Sequence, residues 1–279
     1  MEDNITVLKL SPQKVFHFFL HVIGVLIILN LFVLIAKYEF GHPKIYGLAA
    51  LFTLDLEQNV PTWFSSFLIL LSSMLLAVIS LTPQSNTDRS CLYWGSLAAL
   101  FLFLSIDEAA GIHELLMSPV RKFFNTSGFF YFAWVIPASL LVLTCAIIYW
   151  RFLLSLPKGI MLRMIVAAFI YVSGAIGMEM VSGAVRSYNG ETEGTRSLTY
   201  EMVVIIEESL EMIGMAFFIY TLLIYLASQK SGLSISADRR SRGRTKKRNT
   251  LTMIKNCSSA DSTPDTNYTS NYTSNTHHN

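Results

Sequence analysis

The stretch Ser105-Ile-Asp-Glu-Ala-Ala-Gly-Ile-His-Glu114 ends an apolar run that otherwise has the composition of a membrane-spanning helix. It carries four ionisable side chains, Asp107, Glu108, His113 and Glu114. An acid near the centre of a bilayer costs roughly 2.5–3.5 kcal/mol on insertion scales, so polar groups in such helices usually face a protein interior or a water-filled cavity. The stretch therefore predicts a buried polar site inside a membrane protein.

The composition of the whole chain supports this interpretation. Hydrophobic residues make up 52% of the 279 residues and charged residues only 14%, against roughly 25% charged in a typical soluble domain. The three cysteines, at positions 91, 145 and 257, have neither the spacing of a metal motif nor that of a disulfide framework. We expect this chain to lie in a lipid bilayer and not to bind nucleic acid.

Six apolar runs have the length of membrane spans. The first, from Val15 to Ala36, has 22 residues, enough to cross a hydrocarbon core of about 30 Å. The sequence predicts an all-α polytopic membrane protein, with a bundle of six transmembrane helices over residues 15–227. The predicted spans are about 15–36, 63–81, 92–117, 129–150, 161–184 and 200–227.

Polar segments flank and connect these spans. Residues 1–14 form a polar N-terminal segment, and residues 38–62 form a connection whose Gly and Pro residues break regular structure. Residues 228–279 are predicted to be a disordered tail, first basic and then rich in Asn, Ser and Thr.

The basic residues indicate how the spans are oriented. Lys and Arg in the N-terminal segment and the loops are divided six against six between the two faces, and the seven basic residues within 20 residues after the sixth span decide for a cytoplasmic tail. We therefore expect an integral protein of the plasma (inner) membrane with both termini in the cytoplasm. Its basic tail would suit anionic lipids of the inner leaflet.

The intramembrane acids of three spans fall at one depth. Counting residues along each span places the acids of spans three, five and six in the same, outer half of the bilayer. Glu179 and Arg186, seven residues apart, lie nearly on one line of a helix, which predicts an ion pair at the rim. The predicted site is made of Asp107, Glu108, His113, Glu114, Glu179, Glu207, Glu208 and Glu211.

The charge of this set indicates what kind of site it is. Seven carboxylates cannot all stay ionised together in a medium of low dielectric constant, so either several hold protons or cations lie among them. Carboxylates with one imidazole suit a divalent metal, Zn, Fe, Mn or Mg. We predict Glu108 and Glu208 as catalytic residues, and as metal ligands Asp107, His113, Glu114, Glu179, Glu207 and Glu211.

Three stretches resemble a group of uncharacterised bacterial multi-span membrane proteins. They are Leu54-Asp-Leu-Glu-Gln-Asn-Val-Pro-Thr-Trp63, Ser105-Ile-Asp-Glu-Ala through His113-Glu114, and Glu207-Glu-Ser-Leu-Glu-Met212. The resemblance covers residues 15–227 and implies the membrane fold. It supplies no activity.

Three hypotheses on function follow from the residues. The first is a metal-dependent membrane enzyme that acts on a lipid or small amphiphile, in which a metal activates water and a free carboxylate moves the proton. The second is a proton- or cation-coupled transporter that uses the same acids. The third is a structural or accessory membrane protein whose acids are protonated and hydrogen-bonded between helices.

Overall fold

The computed structural model describes residues 11–42, 47–82, 88–190 and 197–229, and every regular element in these ranges is a helix. Among the described residues, six helices are long and apolar enough to cross a membrane. The predicted all-α fold with six membrane spans is thus confirmed. The predicted N-terminal segment up to residue 10 and the predicted tail from residue 230 lie outside the described residues.

The helices follow one another along the chain with short connections. They are α1 (Pro12–Tyr38), α2 (Leu48–Phe52), α3 (Val60–Ser80), α4 (Asp88–Ala110), α5 (Ile112–Phe124), α6 (Val135–Ser155), α7 (Lys158–Val172), α8 (Glu179–Asn189) and α9 (Leu198–Ser228). A π-helical segment, Ser173–Met178, joins α7 and α8 into one fifth span, Lys158–Asn189.

Two predicted spans need correction at the end that carries the site. The third was predicted to run to residue 117, but α4 ends at Ala110 because Gly111 takes a left-handed conformation and starts the separate helix α5. The fourth was predicted to start at residue 129, but α6 starts at Val135, after a 3₁₀ turn at Gly128–Phe130. Pro137 therefore falls in the first turn of α6, where its missing N–H breaks no helical hydrogen bond.

Helix α9 is the centre of the bundle. It packs against α1, α3, α7 and α8, and its side chains Met212, Ala216, Ile219 and Leu222 are fully buried. Gly214 allows α7 to approach closely, since a Cβ at this position would lie 2.7 Å from the backbone nitrogen of Tyr171. Small residues bring helix backbones together in this way in many membrane proteins.

Hydroxyl groups join α3 and α4 side by side. The Ser66 hydroxyl donates to the carbonyl oxygen of Ser105 over 2.8 Å, and the Ser105 hydroxyl donates to the carbonyl oxygen of Ser66 over 2.9 Å. Ser73 donates to the carbonyl oxygen of Ala98, about two turns before Ser105 on α4. These hydrogen bonds fix the position of the end of α4 that carries Asp107 and Glu108.

Helix α6 is the most loosely packed of the spans. Among its side chains, Val135 and Phe152 are buried, and most of the others are exposed or half-buried. This leaves a space between α4, α6, the fifth span and α9.

Candidate functional site

A cavity of about 640 Å³ occupies the space beside α6. This volume lies within the range of pockets that hold small molecules. Its lining divides into a polar end and an apolar end. The polar end is lined by Asp55, Glu57, Asp107, Glu108, His113, Glu114, Glu179, Arg186, Glu207, Glu208 and Glu211.

The polar end is covered by the segment between α2 and α3. The side chain of Asn30 on α1 accepts a hydrogen bond from the backbone N–H of Leu54, and the Asn59 amide donates to the carbonyl oxygen of Thr53. Asn59 also caps α3 by accepting from the N–H of Thr62. Asp55 accepts a hydrogen bond of 2.8 Å from the hydroxyl of Tyr200. The predicted connection 38–62 is therefore built into the site at residues 53–59.

Gly111 separates α4 from α5 at the edge of the cavity. Its φ angle of +60° lies in the left-handed region, which glycine adopts without steric cost. A Cβ at this position would clash with the carboxylate oxygen Oε2 of Glu57. Glycine is thus required for the backbone conformation, and an added Cβ would displace the carboxylate of Glu57.

The break in the helix forms a hydrogen-bonded pair between Asp107 and His113. Oδ1 of Asp107 accepts the backbone N–H of His113 over 2.7 Å, and Oδ2 lies 3.1 Å from Nδ1 of the imidazole. Because an ionised carboxylate only accepts, Nδ1 carries the proton in this contact. Asp107 therefore fixes both the position and the tautomer of His113.

The second ring nitrogen of His113 is on the other side of the imidazole, 3.9 Å from Oε1 of Glu57. Burial lowers the pKa of His113, but the hydrogen bond to Asp107 and the negative charges of Asp107, Glu108 and Glu57 outweigh it, and the pKa is raised. Burial raises the pKa of Glu57, helped by the charges of Glu114 and Asp107 and opposed by His113. The imidazole is thus a stronger base than a free histidine.

Trp134 connects His113 with the acids of the fifth span and α9. Its ring lies 4.7 Å from the imidazole of His113, centroid to centroid, and its Nε1–H donates to Oε1 of Glu179 over 3.0 Å. Glu207 on α9 lies within hydrogen-bonding reach of Glu179. Oε2 of Glu207 is buried and has no hydrogen-bond partner among the described residues. Two neighbouring carboxylates in this position need a shared proton or a cation.

The remaining acids lie deeper or further out. Glu108 is within hydrogen-bonding reach of Ser65 on α3, and Glu208 and Glu211 line the cavity from α9. Gly174, in the π-helical segment, allows the fifth span to lie close to α9, since a Cβ at this position would lie 2.9 Å from Cγ of Glu211. Glu114 is exposed in the first turn of α5.

Arg186 does not form the predicted ion pair with Glu179. In the described part of the chain, no carboxylate lies within ion-pair distance of its guanidinium, although the side chain is only 8% exposed. The guanidinium carbon lies 5.5 Å, 5.6 Å and 5.8 Å from the ring centres of Tyr131, Phe132 and Tyr200. The reason is that Glu179 already accepts from Trp134, while three aromatic rings surround Arg186.

All eight predicted site residues line this cavity. Their predicted roles as catalytic residues and metal ligands stay predictions. Within the described ranges, no group of three or more His, Cys, Asp or Glu side chains is arranged to hold a metal ion. Sequence reasoning missed the partners of these residues, namely Glu57, Ser65, Trp134, Tyr131 and Phe132. A signal was present only for Glu57, which lies in a stretch already quoted for its resemblance.

The comparison with family models matches residues 19–226, nearly the whole of the six-span region. The chain belongs to the family described as Domain of unknown function (DUF8692). The match agrees with the expected uncharacterised membrane family and its extent over residues 15–227. Searches of curated proteins and of solved structures found no match.

The apolar end of the cavity extends along the bundle away from the acids. Its described lining includes Leu97, Phe101, Cys145, Tyr149 and Leu153, and contains no Asp, Glu, Lys, Arg or His. Leu97 lies ten residues before Asp107 on α4, about 15 Å along a helix axis. The cavity therefore has the form of a polar head site with an apolar channel.

Proposed function

We propose that this protein is a membrane-embedded enzyme that performs acid–base chemistry on an amphiphile, with His113 as the general base and Asp107 as the residue that positions it. The observation that supports this proposal is the Asp107–His113 pair at the polar end of a cavity whose other end is apolar. A carboxylate that holds an imidazole in one tautomer is the arrangement that makes histidine an effective proton acceptor.

The chemistry follows from the two nitrogens of the imidazole. Nδ1–H is held by Asp107, so Nε2 takes the proton of a hydroxyl group or a water molecule at the polar end of the cavity. The imidazolium that forms is stabilised by Asp107 and by Glu57, 3.9 Å from Nε2. It then returns the proton to a leaving group. Glu108 and Glu208, the predicted catalytic carboxyls, line the same cavity and would act as further acids.

The lining of the cavity favours an amphiphile as substrate. Because α6 is loosely packed, an acyl chain could enter from the bilayer and lie against Leu97, Cys145 and Leu153. A proton- or cation-coupled carrier would instead need charged groups along the deeper lining, and the described residues there include no Asp, Glu, Lys, Arg or His. The enzyme therefore explains more of the geometry than the carrier does.

The test uses purified protein in nanodiscs made from a total polar lipid extract. Lipid masses are followed with time by mass spectrometry for the wild type, His113→Asn and Asp107→Asn. We expect at least one lipid to be converted, with the rate lowered on the order of 10²–10⁴-fold in His113→Asn, as is usual for loss of a general base.

The matched control is His21→Asn, which removes an exposed histidine on α1 that does not line the cavity. Its rate should equal that of the wild type. Two results would contradict the proposed enzyme. One is undiminished conversion by His113→Asn, and the other is unchanged lipid masses with the wild type, whether or not Mn, Fe, Zn or Mg is added.

A second proposal is a divalent metal that draws Glu179, Glu207, Glu208 and Glu211 together, since no three of these side chains are arranged around a metal position in the described structure. The specific observation in its favour is Oε2 of Glu207, a buried acceptor beside a second carboxylate with no donor in the described residues. Elemental analysis after exposure to Mn, Fe, Zn or Mg should find about one equivalent in the wild type and much less in Glu207→Gln. Less than about a tenth of an equivalent in the wild type would leave a shared proton as the explanation.

We also propose that both termini lie in the cytoplasm, on the face opposite the polar end of the cavity. Six spans place the ends of the bundle on one face, and the basic residues after α9 favour the cytoplasm for that face. Labelling of a cysteine introduced at Ser11 by an impermeant maleimide should then require broken cells. Labelling in intact cells would place the site in the inner half of the bilayer.

A further inference from the structure

Arg186 is a buried cation in the lining of the cavity, and the proposed acid–base chemistry does not use it. The side chain is 8% exposed, and its Nε is buried without a hydrogen-bond partner in the described part of the chain. Burying a charged group without a partner is strongly unfavourable, so such a group is usually paired or bound to a ligand. Nine acids line the same cavity, yet none of them forms an ion pair with Arg186.

The surroundings of Arg186 explain how the charge is held apart from these acids. Tyr131, Phe132 and Tyr200 contact the guanidinium as ring faces, at 5.5–5.8 Å from its carbon to the ring centres. Aromatic faces stabilise a guanidinium by cation–π contact without using its N–H groups. The N–H edge therefore stays available for an acceptor that enters the cavity.

The backbone next to Arg186 is also fixed by close packing. Gly183, one turn before it on α8, lies against Tyr131 and Phe132, and a Cβ there would lie 3.2 Å from each side chain. Arg121 on α5 adds a second guanidinium, 4.1 Å from the ring centre of Tyr131, and donates to the carbonyl oxygen of that residue. Two guanidinium groups thus lie against the ring of Tyr131.

We propose that Arg186 forms an oxyanion subsite that binds the phosphate or carboxylate headgroup of the amphiphile in the cavity. Arginine donates two parallel N–H bonds to such groups, which a lysine cannot do. The inference rests on the proposed function only for the use of the subsite in catalysis, because binding itself needs no reaction.

The subsite is close enough to the Asp107–His113 pair to serve one substrate. Arg186 contacts Tyr131 and Phe132, while the His113 ring contacts Trp134 two residues later. Arg186 and His113 also line the polar end of the same cavity. A phosphate held by Arg186 would therefore place neighbouring ester or hydroxyl groups of the same headgroup region near Nε2 of His113.

The test is a binding experiment with the full chain in nanodiscs of uncharged lipid. Dodecyl phosphate, inorganic phosphate and dodecyltrimethylammonium are titrated against the wild type, Arg186→Gln, Arg186→Lys and the control Arg163→Gln. Arg163 is a partly exposed arginine on α7 that does not line the cavity. We expect the affinity for dodecyl phosphate to fall by on the order of tenfold or more in Arg186→Gln. In Arg163→Gln it should equal that of the wild type.

The two phosphate ligands distinguish the source of the anion. Tighter binding of dodecyl phosphate identifies a lipid headgroup, and equal binding of inorganic phosphate identifies a soluble anion at the same subsite. Arg186→Lys keeps the charge, so it tests the paired N–H geometry if the glutamine variant does not fold. Preference of the wild type for dodecyltrimethylammonium, equal binding of dodecyl phosphate to wild type and Arg186→Gln, or no phosphate binding would overturn the subsite.

Failure of the subsite and failure of the proposed enzyme give different results. In His113→Asn the oxyanion subsite is intact, so dodecyl phosphate should bind as it does to the wild type even if lipid conversion is lost. If Arg186→Gln loses binding of dodecyl phosphate but converts lipid at the wild-type rate, the subsite binds an anion that takes no part in the reaction.

Discussion

At the scale of single residues, the Asp107–His113 pair makes the stability of the protein depend on pH. The native pKa of His113 is raised, because its hydrogen bond to Asp107 and the charges of Asp107, Glu108 and Glu57 outweigh its burial. The stabilisation from the protonated imidazole is complete below about pH 6.5, the pKa of an unfolded histidine, and is lost as pH rises through the higher native value.

We therefore expect the melting temperature of the wild type, relative to His113→Gln, to decrease between about pH 6 and pH 9. Burial raises the pKa of Glu57 as well, which lowers the stability of either protein as pH rises, so the difference between the two proteins is the quantity to follow. Thermal unfolding in nanodiscs measures the difference. His21→Gln should keep the wild-type profile, and a difference between wild type and His113→Gln that is constant with pH would contradict the pair.

A second prediction at this scale concerns Gly111. Alanine in the left-handed region costs about 1–2 kcal/mol, and at Gly111 its Cβ would also clash with Glu57. Gly128 is a matched control, with a φ angle of +62° and nothing within 4 Å of a built Cβ. We expect Gly111→Ala to lower the free energy of unfolding by about 0.5–1.5 kcal/mol more than Gly128→Ala, because the side chain of Glu57 must change its rotamer. Equal losses in denaturant unfolding would mean that Glu57 moves away freely.

At the scale of helices, the fifth span contacts α9 through its π-helical segment. A Cβ at Gly174 would lie 2.8 Å from the carbonyl oxygen of Glu207, whereas a Cβ at Gly177 would meet nothing within 4 Å. Gly174→Ala should therefore cost about 1–3 kcal/mol by overpacking. Gly177→Ala should be neutral or stabilise by up to about 1 kcal/mol. Circular dichroism monitors the unfolding of both variants. Similar stabilities of the two variants would contradict the close contact between Gly174 and α9.

The same scale explains what could be predicted from sequence. The six spans were predictable because each needs a long apolar run, and α9 matched its predicted span, 200–227, to within two residues. The end of the third span was not predictable, because residues 112–117 continue the pattern of a helix. The pattern does not show that Gly111 turns the chain.

This break decides the geometry of the site. In a continuous helix, Asp107 and His113 would lie about 9 Å apart along the axis and on different faces. The acids were predicted to share one depth from residue counts alone, and they do line one cavity. Their partners were not predictable, because Trp134, Ser65 and Glu57 come from segments whose positions depend on tertiary packing.

At the scale of the whole molecule, the position of the cavity predicts which thiol an amphiphile protects. Cys145 lines the apolar part, eleven residues after Trp134 and so about 16 Å from the polar end along α6. Cys91, near the start of α4, does not line the cavity. A dodecyl chain whose headgroup occupies the polar end should reach Cys145 and cover it.

The experiment uses two variants that keep either Cys145 or Cys91, with serine at the other two cysteine positions. Modification by N-phenylmaleimide is timed with and without dodecyl phosphate. We expect the rate at Cys145 to fall by about tenfold when nine-tenths of the molecules are occupied, and the rate at Cys91 to stay unchanged. Equal slowing at both thiols would indicate an effect on the reagent or the bilayer. Modification of Cys145 at full speed, with dodecyl phosphate bound, would contradict the proposed position of the alkyl chain beside α6.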